Sequence, residues 1–298
     1  ACTLERGHNR SVPGNPAIHT LKDGRLQECS AQHCTVTAKV DDSFHWTPEL
    51  RAATEGVISE SEAFDKKKRN HTKGFPPGQA CYPPTHITDY TEYPANLIGK
   101  IHFRNPRNYG YRCTGAFVGD YAMVLTAAHC CYNFKKEEWN KDWEITLGYD
   151  DGGGTSYQAE RAFVSDDWID ADYEDHAYDF CILKMKDSGP SYIAYWIADP
   201  DDFFDYDYVY SYGYAQNYGT GKELYCAYSH MYDYDVDGEY DGYLIAKCNP
   251  MIHGNSGGPW IVSYKGVIGV NSYHTIGHES REGSPYLGTD FVKLCQRA

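Results

Sequence analysis

The sequence holds no run of roughly eighteen or more apolar residues, the length a helix needs to cross a bilayer, so a transmembrane helix is excluded. It has no basic excess: 27 Lys and Arg face 42 Asp and Glu, a formal charge of -15. Phosphate binding needs a basic surface, so nucleic acid is not an expected partner. There is no internal repeat and no coiled-coil heptad. Tyrosine is missing from the first 69 residues, although the chain contains 28. No charged-then-apolar leader opens the sequence at Ala1, and the expectation is that any signal peptide has been removed. What is present is a hydrophobic fraction of 41% over 298 residues, enough to fill a core. Eleven cysteines are too many for an ordinary cytosolic protein and favour a secreted, oxidising setting.

The composition breaks near residue 69. Residues 1–69 carry ten basic and ten acidic side chains, whereas residues 70–298 carry 17 and 32. This predicts two units: an amino-terminal pro-segment or accessory region over 1–69, and a main domain over 70–298. Lys66-Lys67-Lys68-Arg69 marks the seam. Such a charge block reads either as a solvated linker or as an exposed dibasic processing site. Cleavage after Arg69 would leave 229 residues, a suitable size for one enzyme and consistent with a zymogen. Asn9-Arg10-Ser11 and Asn70-His71-Thr72 match the glycosylation pattern, so a glycoprotein is expected.

After residue 90 short apolar runs alternate with Gly, Asn and Asp: 96–103, 114–118, 123–125, 180–185, 260–263 and 267–271. That spacing predicts an all-β fold. Phe291, Val292 and Cys295 suit one face of a closing helix over 289–296.

Three segments carry the chemistry. Cys113-Thr114-Gly115-Ala116-Phe117-Val118-Gly119 leads to Met123-Val124-Leu125-Thr126-Ala127-Ala128-His129-Cys130. Tyr178-Asp179 opens the run to Met185, and His253-Gly254-Asn255-Ser256-Gly257-Gly258-Pro259 follows. A hydroxyl is a weak nucleophile at neutral pH. It needs an imidazole to take its proton, and the imidazole needs a carboxylate to fix its tautomer. His129, Asp179 and Ser256 supply those groups, with Asp172 and Asp175 as rivals for the carboxylate. The backbone N–H groups of Gly254 and Ser256 are candidate oxyanion donors, since glycines leave the chain bare there.

These strings resemble the chymotrypsin-like, trypsin-fold serine proteases over roughly residues 90–298. The resemblance implies two six-stranded β-barrels with the site between them, a short C-terminal helix, and a Cys113–Cys130 bridge beside His129. It implies a serine endopeptidase that cuts protein or peptide substrates through an acyl-enzyme. Two departures matter. The family's activation switch pairs a new amino terminus with an Asp just before the nucleophile, and Asn255 stands there. No Ile-Val-Gly-Gly type start is found. Both departures are similar to the glutamyl-endopeptidase branch, as are Tyr93-Pro94-Ala95, Gly154-Thr155-Ser156-Tyr157 and Val267-Ile268-Gly269-Val270. That branch's carboxylate-binding His is replaced by Asn271, and its Thr five residues before the nucleophile by Met251. Pro250 stands where trypsins keep an acid, so a preference for Arg or Lys is not expected. Glu and large hydrophobic residues remain open. Met251, His253, Asn271, Ser272, Tyr273 and His274 are the expected substrate-binding positions, with 272–274 pairing to substrate backbone by strand addition.

Cys226 and Cys248 are expected to clip a loop ahead of the nucleophile, and Cys181 to be a free buried thiol. On that count both parts of the chain hold an odd number of remaining cysteines. A bridge joining residues 1–69 to the protease domain is therefore expected. No metal is expected at the site. Cys113, Cys130, Cys131 and His129 are too crowded for zinc, and His129 has the stronger claim as a base. Asp233, Asp235 and Asp237 have the spacing of half a calcium loop, but Leu244 occupies the twelfth position, so a solvated acidic hairpin is preferred. The remaining expectations are a secreted monomer without nucleic-acid or membrane partners. The rival reading is a catalytically silent protease homologue acting as a binding module. An esterase or lipase is disfavoured, because Ser256 does not sit in Gly-x-Ser-x-Gly.

Overall fold

In the computed structural model the described residues are 17–20, 26–29, 34–39, 44–56, 60–61, 81–171, 173–197, 202, 208–237, 241–263, 265–275 and 281–298. The processing run 66–69, both glycosylation triplets and Asp172 lie outside them. No described helix is long and apolar enough to cross a membrane.

The chain begins with β1 (Ala17–Thr20), β2 (Leu26–Cys29) and β3 (Cys34–Lys39), then α1 (Pro48–Ala52), β4 (Glu55–Gly56) and β5 (Glu60–Ser61). Thr47 caps α1 by accepting from the Leu50 N–H, and Pro48 at the first turn has no N–H to leave unpaired. After β6 (Thr85–His86) come β7 (Ile98–Arg104), β8 (Gly110–Phe117), β9 (Met123–Thr126), the short pair β10 (Tyr132–Asn133) and β11 (Glu138–Trp139), β12 (Lys141–Leu147), β13 (Thr155–Ser165), α2 (Asp166–Ile169) and β14 (Cys181–Met185). Six of these close into a ring in the order β13, β12, β7, β8, β9, β14, with β14 returning to β13. Closure removes exposed strand edges, and the alternate residues Ile101, Phe103, Val124, Ile145, Ala162, Val164 and Leu183 fill the interior.

The second half holds β15 (Tyr208–Gly213), β16 (Tyr225–Asp237), β17 (Asp241–Lys247), β18 (Pro259–Val262), β19 (Gly266–Val270), β20 (Tyr273–Thr275), β21 (Arg281–Pro285) and α3 (Thr289–Arg297). Its sheet runs β19, β18, β15, β16, β17, β21, β20 and wraps Val209, Met231, Leu244, Trp260 and Ile268. Among the described residues this second sheet is a half-barrel rather than a closed one. Its two ends are joined by the Ser284 hydroxyl, which accepts from the Val270 N–H at 2.8 Å, and by a Ser272 N–H to Gly283 carbonyl bond of 3.0 Å. The helix α3 buries Phe291, Leu294 and Cys295 in the cluster between the two sheets.

The break in composition near residue 69 is not a break in hydrogen bonding. Strand β3 pairs with β13, so β1 to β3 continue the first sheet outward. The expected clip between Cys226 and Cys248 is corrected: Cys248 bonds Cys81, and Cys226 is free. Register explains it. Lys247 lies opposite His230, which sets Cys248 beside Ser229, about 10 Å along β16 from Cys226. A disulfide reaches about 7 Å between Cα atoms. Cys181 is corrected as well: it bonds Cys131. The three described bridges join positions within 81–248. With Cys181 paired, the odd count that called for a bridge across the seam no longer holds. Asp233, Asp235 and Asp237 lie along β16, paired to β17, in extended backbone rather than the curled backbone of a calcium loop.

Candidate active site

His129 and Cys130 sit in a one-turn helix over 128–130, immediately after β9. Two disulfides leave this turn in different directions. Cys130 bonds Cys113 on β8, and its neighbour Cys131 bonds Cys181 at the start of β14. Together they tie the turn to two strands of the closed barrel. The second bridge spans 50 residues, and loop-closure entropy gives it about 4 kcal/mol. The double variant Cys131→Ala, Cys181→Ala is expected to lose stability of that order in a denaturant titration under non-reducing conditions. Cys113 and Cys130 lie close to His129, but their sulfurs are joined to each other and are not thiolate ligands.

The imidazole of His129 meets one carboxylate. Its Nδ1 is 2.8 Å from Asp179 Oδ2, and the His129 backbone N–H donates to Asp179 Oδ1 at 2.9 Å. Asp175, one of the rivals, instead accepts from the Ala177 N–H and caps the short helix 176–178 that delivers Asp179. The Ser272 hydroxyl adds a 2.5 Å bond to Asp179 Oδ2. Burial opposes charging either partner. The Asp179 charge and hydrogen bond nonetheless raise the His129 pKa above its ordinary value, and the imidazole lowers that of Asp179. The other ring nitrogen, Nε2, is buried and has no hydrogen bond among the described residues.

Ser256 is brought to the same place from the second sheet. Its carbonyl accepts from the Thr114 N–H at 2.8 Å and lies 3.9 Å from the Cys130 sulfur, next in sequence to His129. Thr114 also holds the loop before Ser256: its hydroxyl donates to the Gly254 carbonyl and accepts from the Tyr214 N–H. The His253 carbonyl accepts from the Gln216 N–H at 2.8 Å. In a trans peptide the following N–H points the opposite way, so the Gly254 N–H is turned from Gln216. Gly254 has φ of +91° and Gly257 of +80°, in the left-handed region that favours glycine. A Cβ on Gly257 would run into Thr126 Oγ1 and the Thr114 carbonyl.

The expected specificity positions divide. Asn271 is fully buried, and its side chain is spent on the fold. It accepts from Ser211, Asn249 and Trp260 and donates to the carbonyls of Tyr212 and Asn255. Met251 is buried beside Ala215 and Ala227. Tyr273 is buried and stacks on His176 at 4.3 Å. These three side chains serve the interior, and the Ser272 hydroxyl is spent on Asp179. His253 is half-buried, and His274 lies 3.1 Å from Glu282.

Glu282 was not foreseen from sequence. It is 1% exposed, and its oxygens lie 3.4 Å from the Asn255 amide. Burial raises its pKa well above the ordinary carboxyl value and lowers that of His274 to about 4. His274 Nδ1 and Glu282 Oε2 face each other at 3.1 Å, and burial disfavours the charged form of each.

A family model described as Trypsin matches residues 88–292. A search of curated proteins finds no match. Solved structures similar to the chain include a thermostable serine protease, AL20, from an extremophilic microorganism, at 21% identity and TM-score 0.56, covering 67% of this chain and 96% of that one. Protease Anisep from Arthrobacter nicotinovorans matches at 22% identity and TM-score 0.54, covering 68% and 95%. A Glu endopeptidase matches at 17% identity and TM-score 0.60, covering 72% and 95%. At such identities these likenesses speak for the fold alone. With the family model spanning 88–292, they lead to one assignment: the chain belongs to the trypsin family of serine proteases.

Proposed function

We propose that the protein is a secreted endopeptidase, made as a zymogen, in which Ser256 attacks the scissile carbonyl and His129 acts as general base and then acid. Asp179 orients His129, and the Gly254 and Ser256 N–H groups receive the oxyanion. The observation that carries this reading is the Nδ1 to Oδ2 bond of 2.8 Å between His129 and Asp179, with the Ser256 backbone docked one residue away on Cys130. An imidazole so held keeps its proton on Nδ1 and leaves Nε2 to accept from the serine. The acyl-enzyme then releases to a water that His129 activates.

Hydrophobic rather than Glu or basic residues are the proposed preference at the cut. A glutamate side chain would need a donor, and the nearby groups are engaged: Asn271 with five interior partners, His274 with Glu282. A cationic side chain would need a charged carboxylate, and burial disfavours charge on Glu282, which already faces His274. Profiling on a peptide library is the check. Cleavage concentrated after large apolar residues is expected, and cleavage after Glu or after Arg and Lys would reject this preference. Calcium at Asp233, Asp235 and Asp237 has no place in the proposed mechanism.

A further inference from the structure

The segment that starts at Phe44 does not simply lead into the protease fold; its described residues pair first with β8 of one sheet and then with β20 of the other. Trp46 donates its indole N–H to the Asp142 carbonyl at 2.7 Å and lies over His102. Arg51 binds Glu144 through Nε and Nη2 at 2.9 and 2.6 Å, with both side chains largely buried. Arg112 donates to the Thr54 carbonyl. Then Glu55 and Gly56 pair in parallel with Tyr111 and Arg112 of β8, directly before the Cys113 that bridges to Cys130. Gly56 lies flat on the peptide bond between His253 and Gly254. A Cβ there would stand 2.6 Å from the His253 carbonyl carbon and 2.7 Å from the Gly254 nitrogen. Farther on, Glu60 and Ser61 pair in parallel with His274 and Thr275 of β20. Under this cover His129 is 7% exposed and Ser256 4%.

The direction of travel is decisive. A peptide bound for cleavage lays its acyl side against the second sheet, which carries β20 and the residues ahead of Ser256. Its leaving side lies over the first barrel, where His129 must return the proton. It would therefore pass β20 first and β8 second. The segment passes β8 first and β20 second.

We propose that residues 44–56 and 60–61 belong to a built-in inhibitor of the Ser256 site, which meets β8 and then β20 in the sense opposite to a substrate. This inference rests on the proposed catalytic roles of Ser256 and His129 and states how that site is held shut. The segment uses the backbone edges a substrate would use, by strand addition. Parallel to both β8 and β20, it runs against the order that attack at Ser256 and protonation by His129 require, so it blocks without being cut. Its anchors outside the cleft are mixed: Arg51 on Glu144 and Arg112 on the Thr54 carbonyl are polar, while the buried Trp46 packs with Phe44 and His102.

The test uses the full disulfide-bonded chain in four forms: wild type, Gly56→Leu, Arg51→Ala, and Gly56→Leu combined with Ser256→Ala. A leucine at 56 cannot lie against the His253–Gly254 peptide, and the loss of Arg51 loosens the anchor without entering the cleft. Two readouts are taken, the rate of labelling by a fluorophosphonate and amide exchange across β20. Labelling of Gly56→Leu is expected to be roughly tenfold or more faster than wild type, with Arg51→Ala between. Amides of β20 are expected to be protected in wild type and to exchange faster in Gly56→Leu, whether or not Ser256 is present. Equal β20 exchange in wild type and Gly56→Leu overturns the proposal, as does equal labelling or a cut found between residues 56 and 60. If β20 is released but no form with Ser256 labels, the segment covers the cleft yet inhibits nothing. That outcome also overturns the proposal, and it is the one that rejects the catalytic reading itself.

Discussion

Ser256→Ala is expected to lower kcat about a millionfold, about 8 kcal/mol of barrier. The substitution removes the only atom that forms the covalent bond, while the surroundings survive. The Thr114 N–H still holds the carbonyl of residue 256, and Thr114 Oγ1 still holds the Gly254 carbonyl. The oxyanion donors and the peptide-binding edges therefore remain, and a small residual rate over water is expected from them. His129→Ala should cost about as much, and the double variant little more, because nucleophile and base act as a unit. Steady-state hydrolysis of a peptide substrate by the Gly56→Leu chain, with and without each change, checks both values. Additive losses in the double variant would mean that the two residues do not share a proton.

Asp179→Asn is expected to lower kcat roughly ten thousandfold, about 5 kcal/mol, the scale known for triads of the chymotrypsin type. The asparagine fits the same space, and its oxygen can still accept from the His129 backbone N–H, while the Ser272 hydroxyl, which donates to the other oxygen of Asp179, must turn to accept from the amide. Its amide, however, offers a donor where a carboxylate offered an acceptor. The His129 proton then moves to Nε2, and the ring can no longer take the serine proton. The pH profile should shift as well. His129 must be neutral to act as base, so activity is lost as pH falls through its pKa. Burial works against the charged ring, but Asp179 raises that pKa above the ordinary 6.5. The acid limb of kcat/KM is therefore expected above 6.5 in the chain with Asp179 and at lower pH with asparagine. An unchanged limb would show that Asp179 does not govern the imidazole.

Much of the site was legible in the sequence because it is local. The runs before His129, after Asp179 and after Ser256 each form a short strand with the residue at its end, and strand spacing and glycine placement report that directly. What escaped depends on distant pairing. Ser272 holds Asp179 across 93 residues, and Cys81 reaches Cys248 across 167. No spacing rule connects such positions. Asn271 was expected to face substrate because it stands where the glutamyl-endopeptidase branch keeps its carboxylate-binding His, but its amide is held inward by Ser211, Asn249 and Trp260, none of them adjacent in sequence. Cys131 and Cys181 were hidden by adjacency: two neighbouring cysteines in one turn serve different partners. The first 69 residues differ in composition from the rest, which read as separateness. Composition carries no information on strand pairing, and here β3, β4 and β5 all pair with strands of the protease fold.

The most direct measurement is the site and dependence of covalent labelling. The Gly56→Leu chain is treated with a fluorophosphonate across about pH 5 to 8, and the adduct is located by peptide mass mapping. The expected result is one adduct per chain, on Ser256, formed at a rate that rises with deprotonation of a single group and collapses in His129→Ala. An adduct on any other residue, or labelling of Ser256 that persists unchanged without His129, would contradict the account.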